Sequence, residues 1–368
     1  MIEDKNINLY KTMEYKAIGL MSGTSLDGLD IALCGFSRRD GKWKHVIYKA
    51  VTVQYPHTLR DKLANSMTLS GLELTALDVE LGEFFALSVN EFLSDVKEQP
   101  EIIASHGHTV FHIPAQGITK QIGSGAVIAA KTGIDTICDF RTVDVALGGQ
   151  GAPLVPIGDE LLFPQYGICL NLGGFSNLSF RREERRIAYD IAPNNMAINY
   201  LTNKIGVEYD KDGNIARENK IDETLLSQLN ALEYYKLKPP KSLGKEWFEQ
   251  VFKPILDESV LPIGVKIATV TSHIVRQLAN NLNKIEANNV LITGGGAKNK
   301  FLIESLQNFT DKKIVVPDTL TTDYKEALIF AFLGVLRRAG VANCLKSVTG
   351  AACDSIGGAW FQAQQFSK

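Results

Sequence analysis

The chain has 368 residues, 45% hydrophobic and 22% charged, with a formal net charge of −2. Such a composition fits a globular protein long enough for two domains. The near-neutral balance argues against nucleic acid as a partner, which would call for a basic patch or stripe. The first fifteen residues are polar and lack an apolar core, so no secretory signal is expected. The longest apolar stretch, from Ala327 to Leu336, falls short of a membrane span. Five scattered cysteines with no C-x-x-C spacing are expected to be reduced thiols in a cytoplasmic protein.

Taken in order, residues 18–36 predict a strand, a tip of small residues and a second strand. The tip offers backbone N–H groups and hydroxyls with little bulk. Ser22, Gly23, Thr24 and Ser25 are therefore candidates to wrap a phosphate, and Asp27 to hold a magnesium ion riding on it, through water. Residues 43–53 alternate as a third strand, and residues 57–67 and 73–96 carry helical spacing. A short strand over 102–105 runs into His106-Gly107-His108-Thr109-Val110-Phe111-His112. The three histidines on alternate positions invite a metal reading, but no cysteine or acid lies at ligand spacing. Residues 123–131 predict a helix begun by Ser124, and residues 136–140 a strand ending at Asp139-Phe140-Arg141.

A second round begins at residues 167–180, again strand, small-residue tip and strand, with Gly173 and Gly174 at the tip. Residues 186–190 give its third strand and 196–205 a helix. A polar stretch over 210–242 reads as an insertion with a helix near 223–232. Residues 262–285 form a long amphipathic helix, and 289–293 a strand emptying into Gly294, Gly295, Gly296 and Asn299. A helix over 300–309, a strand over 312–316 and an apolar helix over 323–338 follow. One supersecondary plan is thus used twice, with a phosphate-sized tip opening each half. Together with the triple glycine, which lets backbone approach a purine and ribose, these tips form a candidate nucleotide site. No G-x-x-x-x-G-K-[ST] run is present.

Seven blocks of the sequence resemble, in register, the signatures of the anhydro-N-acetylmuramic acid kinase family. They are residues 19–30, the run from His106 to His112, and Asp139-Phe140-Arg141 continuing to Gly148-Gly149-Gln150-Gly151-Ala152-Pro153-Leu154-Val155-Pro156. Asn171-Leu172-Gly173-Gly174, Pro239-Pro240-Lys241-Ser242, residues 294–299 and Lys325-Glu326-Ala327 complete the set. The resemblance implies an α/β protein of two ribonuclease H-like domains, the actin-like ATPase and sugar-kinase fold, with an active-site cleft between them. The expected lobes are residues 1–145 plus 341–368, and 146–340 with an insertion near 210–260.

The implied activity uses ATP and magnesium. It opens the 1,6-anhydro ring of anhydro-N-acetylmuramic acid and phosphorylates O6, giving N-acetylmuramic acid 6-phosphate for cell-wall recycling. Asp190 would be the base that activates water, as in the base half of an inverting glycosidase coupled to phosphoryl transfer. Thr109, Arg141 and Glu326 would bind the sugar, Arg141 by pairing with its lactyl carboxylate. For Asp190 a helix N-cap, for Arg141 an ion pair with Asp139 or Asp144, and for Glu326 a helix-dipole role are the structural alternatives. The resemblance also implies a homodimer. Two departures stand out: Asp190-Ile191-Ala192-Pro193-Asn194-Asn195 replaces the family's D-T-G-P-G-N, and His108 replaces a glutamine. The altered Asp190 loop motivates one alternative, a kinase for another anhydro or amino sugar; a non-catalytic sugar-responsive binding protein on the same fold is a second.

Overall fold

The computed structural model describes residues 13–23 and 26–364. The described residues fall into two compact units, one within the bounds 1–163 and 324–368 and the other within 164–323. These boundaries differ from the expected 145/146 and 340/341. The chain order suggested that the last long helix follows the second sheet, but its apolar side chains are used in the first unit. Phe332 packs on Phe36 and Trp43 at ring-centroid distances of 5.3 and 5.0 Å, and Phe330 on Phe140 at 5.9 Å. Phe163 likewise rests on the His45 ring at 4.9 Å. The division at residue 324 falls inside the helix Thr319–Arg338, where Tyr324 leaves helical geometry at φ −115°, ψ 18°.

In the first unit, strands β1 (Met13–Ser22), β2 (Leu29–Arg39) and β3 (Lys42–Val53) form an antiparallel meander. β4 (Ile102–Ser105) pairs parallel to β1, and β7 (Asp135–Cys138) parallel to β4. A closing strand, Ala359–Phe361, adds antiparallel to β7. The sequence reading missed a separate hairpin, β5 (His108–Ile113) with β6 (Ile118–Ile122). Gly107, at φ 71°, separates β4 from β5.

The second unit repeats the plan. β8 (Ile168–Leu172), β9 (Phe175–Arg182) and β10 (Arg185–Pro193) make the meander, and β11 (Asn289–Thr293) and β12 (Lys313–Val315) join in parallel, giving the order β10-β9-β8-β11-β12. Setting aside the closing strand and the hairpin, both sheets run third-second-first-fourth-fifth in chain order. This is the ribonuclease H-like arrangement, so the protein is α/β with the same fold used twice.

Local chemistry explains most element limits. The helix Gly71–Leu93 starts two residues earlier than its periodicity because Ser70 and Glu73 form a reciprocal capping box. Its Leu77, Leu81, Phe85 and Val89 pack with Ile18 and Leu20 of β1 in one core. The intervening Gly19 faces the other way, as strand alternation requires. A Cβ on Gly19 would lie 1.8 Å from the Ala327 carbonyl oxygen, so the last long helix crosses β1 in contact with its backbone. In the second unit, Ile267, Val270, Ile274 and Leu278 of the helix Ile263–Leu282 cover Leu170 and Leu172 of β8. No helix among the described residues is long and apolar enough to cross a membrane. Gly19→Ala should destabilise the protein by about 3 kcal/mol or more, since the clash is with backbone on a buried strand. Chemical denaturation checks this, and an unchanged midpoint would contradict the packing described.

Candidate active site

In the second unit, Asp190 lies near the end of β10, the edge strand of its sheet. The β9–β10 register shifts between Asp190 and Ala192, and a bulge of this kind re-aims a side chain. Ser176 stabilises the bulge: its hydroxyl accepts from the Ala192 N–H at 3.2 Å and donates to the Ala192 carbonyl at 3.0 Å. Asp190 is therefore no helix cap. The cap position of the helix Asn195–Asn203 belongs to Asn194.

A segment 53 residues away in sequence grips Asp190. The Leu243 N–H donates to Asp190 Oδ2 at 2.8 Å. The Tyr234 hydroxyl donates to the Asp190 carbonyl at 2.7 Å, and the Asp190 N–H donates to the Lys241 carbonyl at 3.3 Å. Burial raises the Asp190 pKa from 3.8 to about 6, with the Leu243 hydrogen bond pulling the other way. A carboxyl in that range, with one oxygen held by a backbone donor, has the chemistry of a general base. The role of Tyr234 and Leu243 had no sequence signal. Only the block containing Lys241 had singled out this segment.

The glycine-rich turns of the same unit meet each other. Asn195 Nδ2 donates to the Leu172 carbonyl at 3.1 Å, and Asn194 Nδ2 to the Gly173 carbonyl at 3.3 Å. Their backbone N–H groups donate to the carbonyls of Gly173 and Gly174. A Cβ on Gly294 (φ 85°) would fall 2.5 Å from Asn171 Oδ1, and one on Gly296 would fall 2.4 Å from Asn194 Nδ2. Glycine is thus required at both positions by the protein's own packing. Gly173, Gly174 and Gly295 differ: an added Cβ would meet nothing closer than 3.4 Å. No protein contact explains glycine there, which fits close approach by a ligand. Asn299 caps the helix Lys300–Gln307, its Oδ1 accepting from the Leu302 N–H at 2.9 Å.

In the first unit, the tip after β1 carries Gly23 and an exposed Asp27, while Thr24 and Ser25 lie outside the described residues. Ser22 is buried, and its hydroxyl accepts from the Tyr55 hydroxyl at 2.7 Å and bonds His108 Nδ1 at 3.3 Å. This hydroxyl is spent on the protein. Arg141 is also enclosed. Its Nη2 and Nε donate to His106 Nε2 at 2.7 and 3.3 Å, and its Nη1 to the Gly151 carbonyl at 2.6 Å. His106 uses its other nitrogen, Nδ1, on the Gly107 carbonyl at 2.8 Å.

Burial first, and the Arg141 charge second, push the His106 pKa down to about 3; burial takes His108 to about 4. Both imidazoles are neutral at physiological pH, and both His106 nitrogens are engaged. Among the described residues no group of three or more potential ligands gathers for a metal. Neither Asp139 nor Asp144 pairs with Arg141. Asp139 accepts from the Thr142 hydroxyl at 2.5 Å, and Asp144 from the Gly151 N–H at 2.7 Å and the Thr349 hydroxyl at 2.8 Å.

Burial draws the Arg141 pKa down to about 10, with Cys344 and Glu326 pulling it back, so it stays cationic. The carboxyl of Glu326 is raised by burial and by Asp30, and lowered by Lys325 and Arg141. Arg141 and Glu326 therefore sit within electrostatic reach of each other. Thr109, half-buried on β5, accepts from Gln121 Nε2 at 3.3 Å.

Gly173→Ala should leave unfolding stability within about 1 kcal/mol of the parent, whereas Gly296→Ala should cost about 1–3 kcal/mol by overpacking. Denaturant titration of the two variants side by side tests the distinction. Equal losses would remove it.

The model of the anhydro-N-acetylmuramic acid kinase family matches residues 15–363. The chain is 36% identical over 364 residues to the anhydro-N-acetylmuramic acid kinase of Aliivibrio fischeri, covering 92% of this chain and 96% of that protein. It is 37% identical over 362 residues to the enzyme of the same name from Pasteurella multocida, covering 92% and 94%. Among solved structures, the Acidaminococcus fermentans (R)-2-hydroxyglutaryl-CoA dehydratase component A superposes with a TM-score of 0.45 and 14% identity. That match covers 89% of this chain and 99% of the other. The chain belongs to the anhydro-N-acetylmuramic acid kinase family and is a phosphotransferase.

Proposed function

We propose that the protein cleaves the 1,6-anhydro ring of anhydro-N-acetylmuramic acid and transfers the γ-phosphoryl group of ATP to the released O6. The observation that carries this is Asp190: a half-buried carboxyl with a pKa near 6, Oδ2 held by the Leu243 N–H. Oδ1 takes the proton of a water molecule as that water attacks the anomeric carbon. The C1–O6 bond breaks, the departing O6 forms its bond to phosphorus, and ADP leaves. The phosphoryl group captures O6, so a single base suffices and no acid is needed at the leaving group. The product is N-acetylmuramic acid 6-phosphate.

In the same proposal the open glycines 173, 174 and 295 approach the nucleotide, with Gly23 and the neighbouring tip residues at its phosphates. Glycine at 294 and 296 and the Asn299 cap hold that backbone in place. The exposed carboxylate of Asp27 suits a magnesium ion held mainly by phosphate oxygens and water, which would neutralise developing phosphate charge. Arg141 offers a fixed cation for the lactyl carboxylate, while Glu326 and Thr109 offer hydrogen bonds to the sugar. Family membership further supports a homodimer in the cytoplasm, acting in cell-wall recycling. The Asn194-Asn195 departure favours one competing reading, a kinase for a related anhydro or amino sugar. A sugar panel in a coupled ADP assay separates the two, and tight sugar binding without ADP release would instead favour a binding protein.

Mass spectrometry of the product formed in heavy-oxygen water tests the chemistry directly. One heavy oxygen at the anomeric carbon together with one phosphate is expected; a phosphorylated product without the heavy oxygen would refute hydrolysis by water. Asp190→Asn should lower kcat by at least about 10²-fold, the usual range for a positioned base. The acid side of the kcat/KM profile should fall with an apparent pKa near 6. Stability has the opposite sense. Because the folded-state pKa is raised, the protonated carboxyl favours the native state below about pH 4, and that contribution is lost as pH rises through about 6. An acid limb near pH 4 would contradict the assignment.

A further inference from the structure

The segment gripping Asp190 is itself pinned at a point remote from the carboxylate. The Tyr235 hydroxyl donates to His273 Nε2 at 2.8 Å, and His273 Nδ1 donates to Asn230 Oδ1 at 2.8 Å. Asn230 Oδ1 also accepts from Gln277 Nε2 at 2.8 Å, so the asparagine presents its oxygen to both donors and the histidine tautomer is set. His273 is 0% exposed, and burial pushes its pKa down to about 3, leaving the ring neutral with both nitrogens used. A satisfied buried network of this kind holds one geometry. Aromatic packing carries that rigidity to the next residue. Tyr234 stands edge-on to Tyr235 at 5.8 Å and leans on Trp247 at 5.5 Å, with Lys241 Nζ 4.4 Å over its ring.

We propose that Tyr234, held by the Tyr235–His273–Asn230 chain, is a positioning residue for the Asp190 carboxylate. Tyr234 acts on the backbone of Asp190, not on reacting atoms. At a bulge on an edge strand the ladder leaves backbone groups without partners and the side-chain direction loosely set. The Tyr234 hydroxyl satisfies the carbonyl, the Lys241 carbonyl satisfies the N–H, and the Leu243 N–H takes Oδ2. One orientation remains, with Oδ1 the oxygen not used by this segment. The proposal rests on Asp190 being the base. Around it the titratable groups are Tyr189 on its own strand and Tyr234 and Lys241 on the gripping segment, with Lys284 acting on Lys241. Burial raises both tyrosines, so they stay neutral wherever Asp190 titrates.

The test uses the full chain and three variants, Tyr234→Phe, Tyr235→Phe and Asp190→Asn. Each is followed by thermal unfolding and by kcat and KM against pH with ATP and anhydro-N-acetylmuramic acid, and the parent and the two tyrosine variants also by carboxyl-carbon NMR titration of Asp190 without substrate. Tyr234→Phe should lower kcat by about 10- to 10²-fold with KM little changed, the scale of a misplaced catalytic group. It should also displace the Asp190 midpoint seen by NMR. Tyr235→Phe, which does not touch Asp190, should shift both readouts in the same direction by a smaller factor, and it carries the test if Tyr234→Phe fails to fold. Midpoints and kcat matching the parent in both tyrosine variants would overturn the proposal even if their melting temperatures fall. Asp190→Asn turning over at the parent rate would overturn the base assignment itself, whatever the tyrosine variants do.

Discussion

The proposed chemistry depends on a balance struck at one carboxyl group. Removing Asp190 from water disfavours its charged form, while a single backbone N–H favours it, and the two leave the group near pH 6. Several donors would draw its pKa down, and full exposure would leave its direction unset. The edge position of β10 is what permits the compromise, because a central strand would have its backbone occupied on both sides. At the edge, the segment from Tyr234 to Leu243 supplies the missing partners and part of the cover.

The first unit handles charge differently. Arg141 is half-buried, and its donors point at a neutral imidazole and a carbonyl instead of a carboxylate. An ion pair would neutralise the cation within the protein; hydrogen bonds to neutral acceptors position it and leave its charge to act on Glu326. His106 can serve as that acceptor only while deprotonated, which burial and the adjacent cation both enforce. His108 and Ser22 form a second neutral pair, which the Tyr55 hydroxyl joins by donating to Ser22.

The glycines show how one residue type answers to different constraints. Gly19 lets a helix lie on β1, and Gly294 and Gly296 let a turn settle onto Leu172 and the asparagines. Gly173, Gly174 and Gly295 meet no such obstacle, and space around them is the feature that bears on ligand approach. In the sequence all six look alike.

The sequence by itself determined the doubled plan, because strand alternation, apolar helix stripes and small-residue tips are local patterns that survive without tertiary contacts. It also determined the family, through seven ordered blocks, and with it the candidates Asp190, Arg141 and Glu326. The hairpin β5–β6 escaped because its two short strands, set off from β4 by the left-handed Gly107, pair with each other and not with the main sheet. The last helix was assigned to the wrong unit because chain order cannot say which sheet an all-apolar surface will cover. The partners of Asp190 lie about fifty residues away, and hydrogen bonds from backbone N–H groups leave no mark on residue identity. What only the tertiary structure decided, therefore, was which glycines are packed and which stand open, which donors Arg141 has spent, and how burial tunes Asp190: each depends on distances between segments that no local pattern encodes.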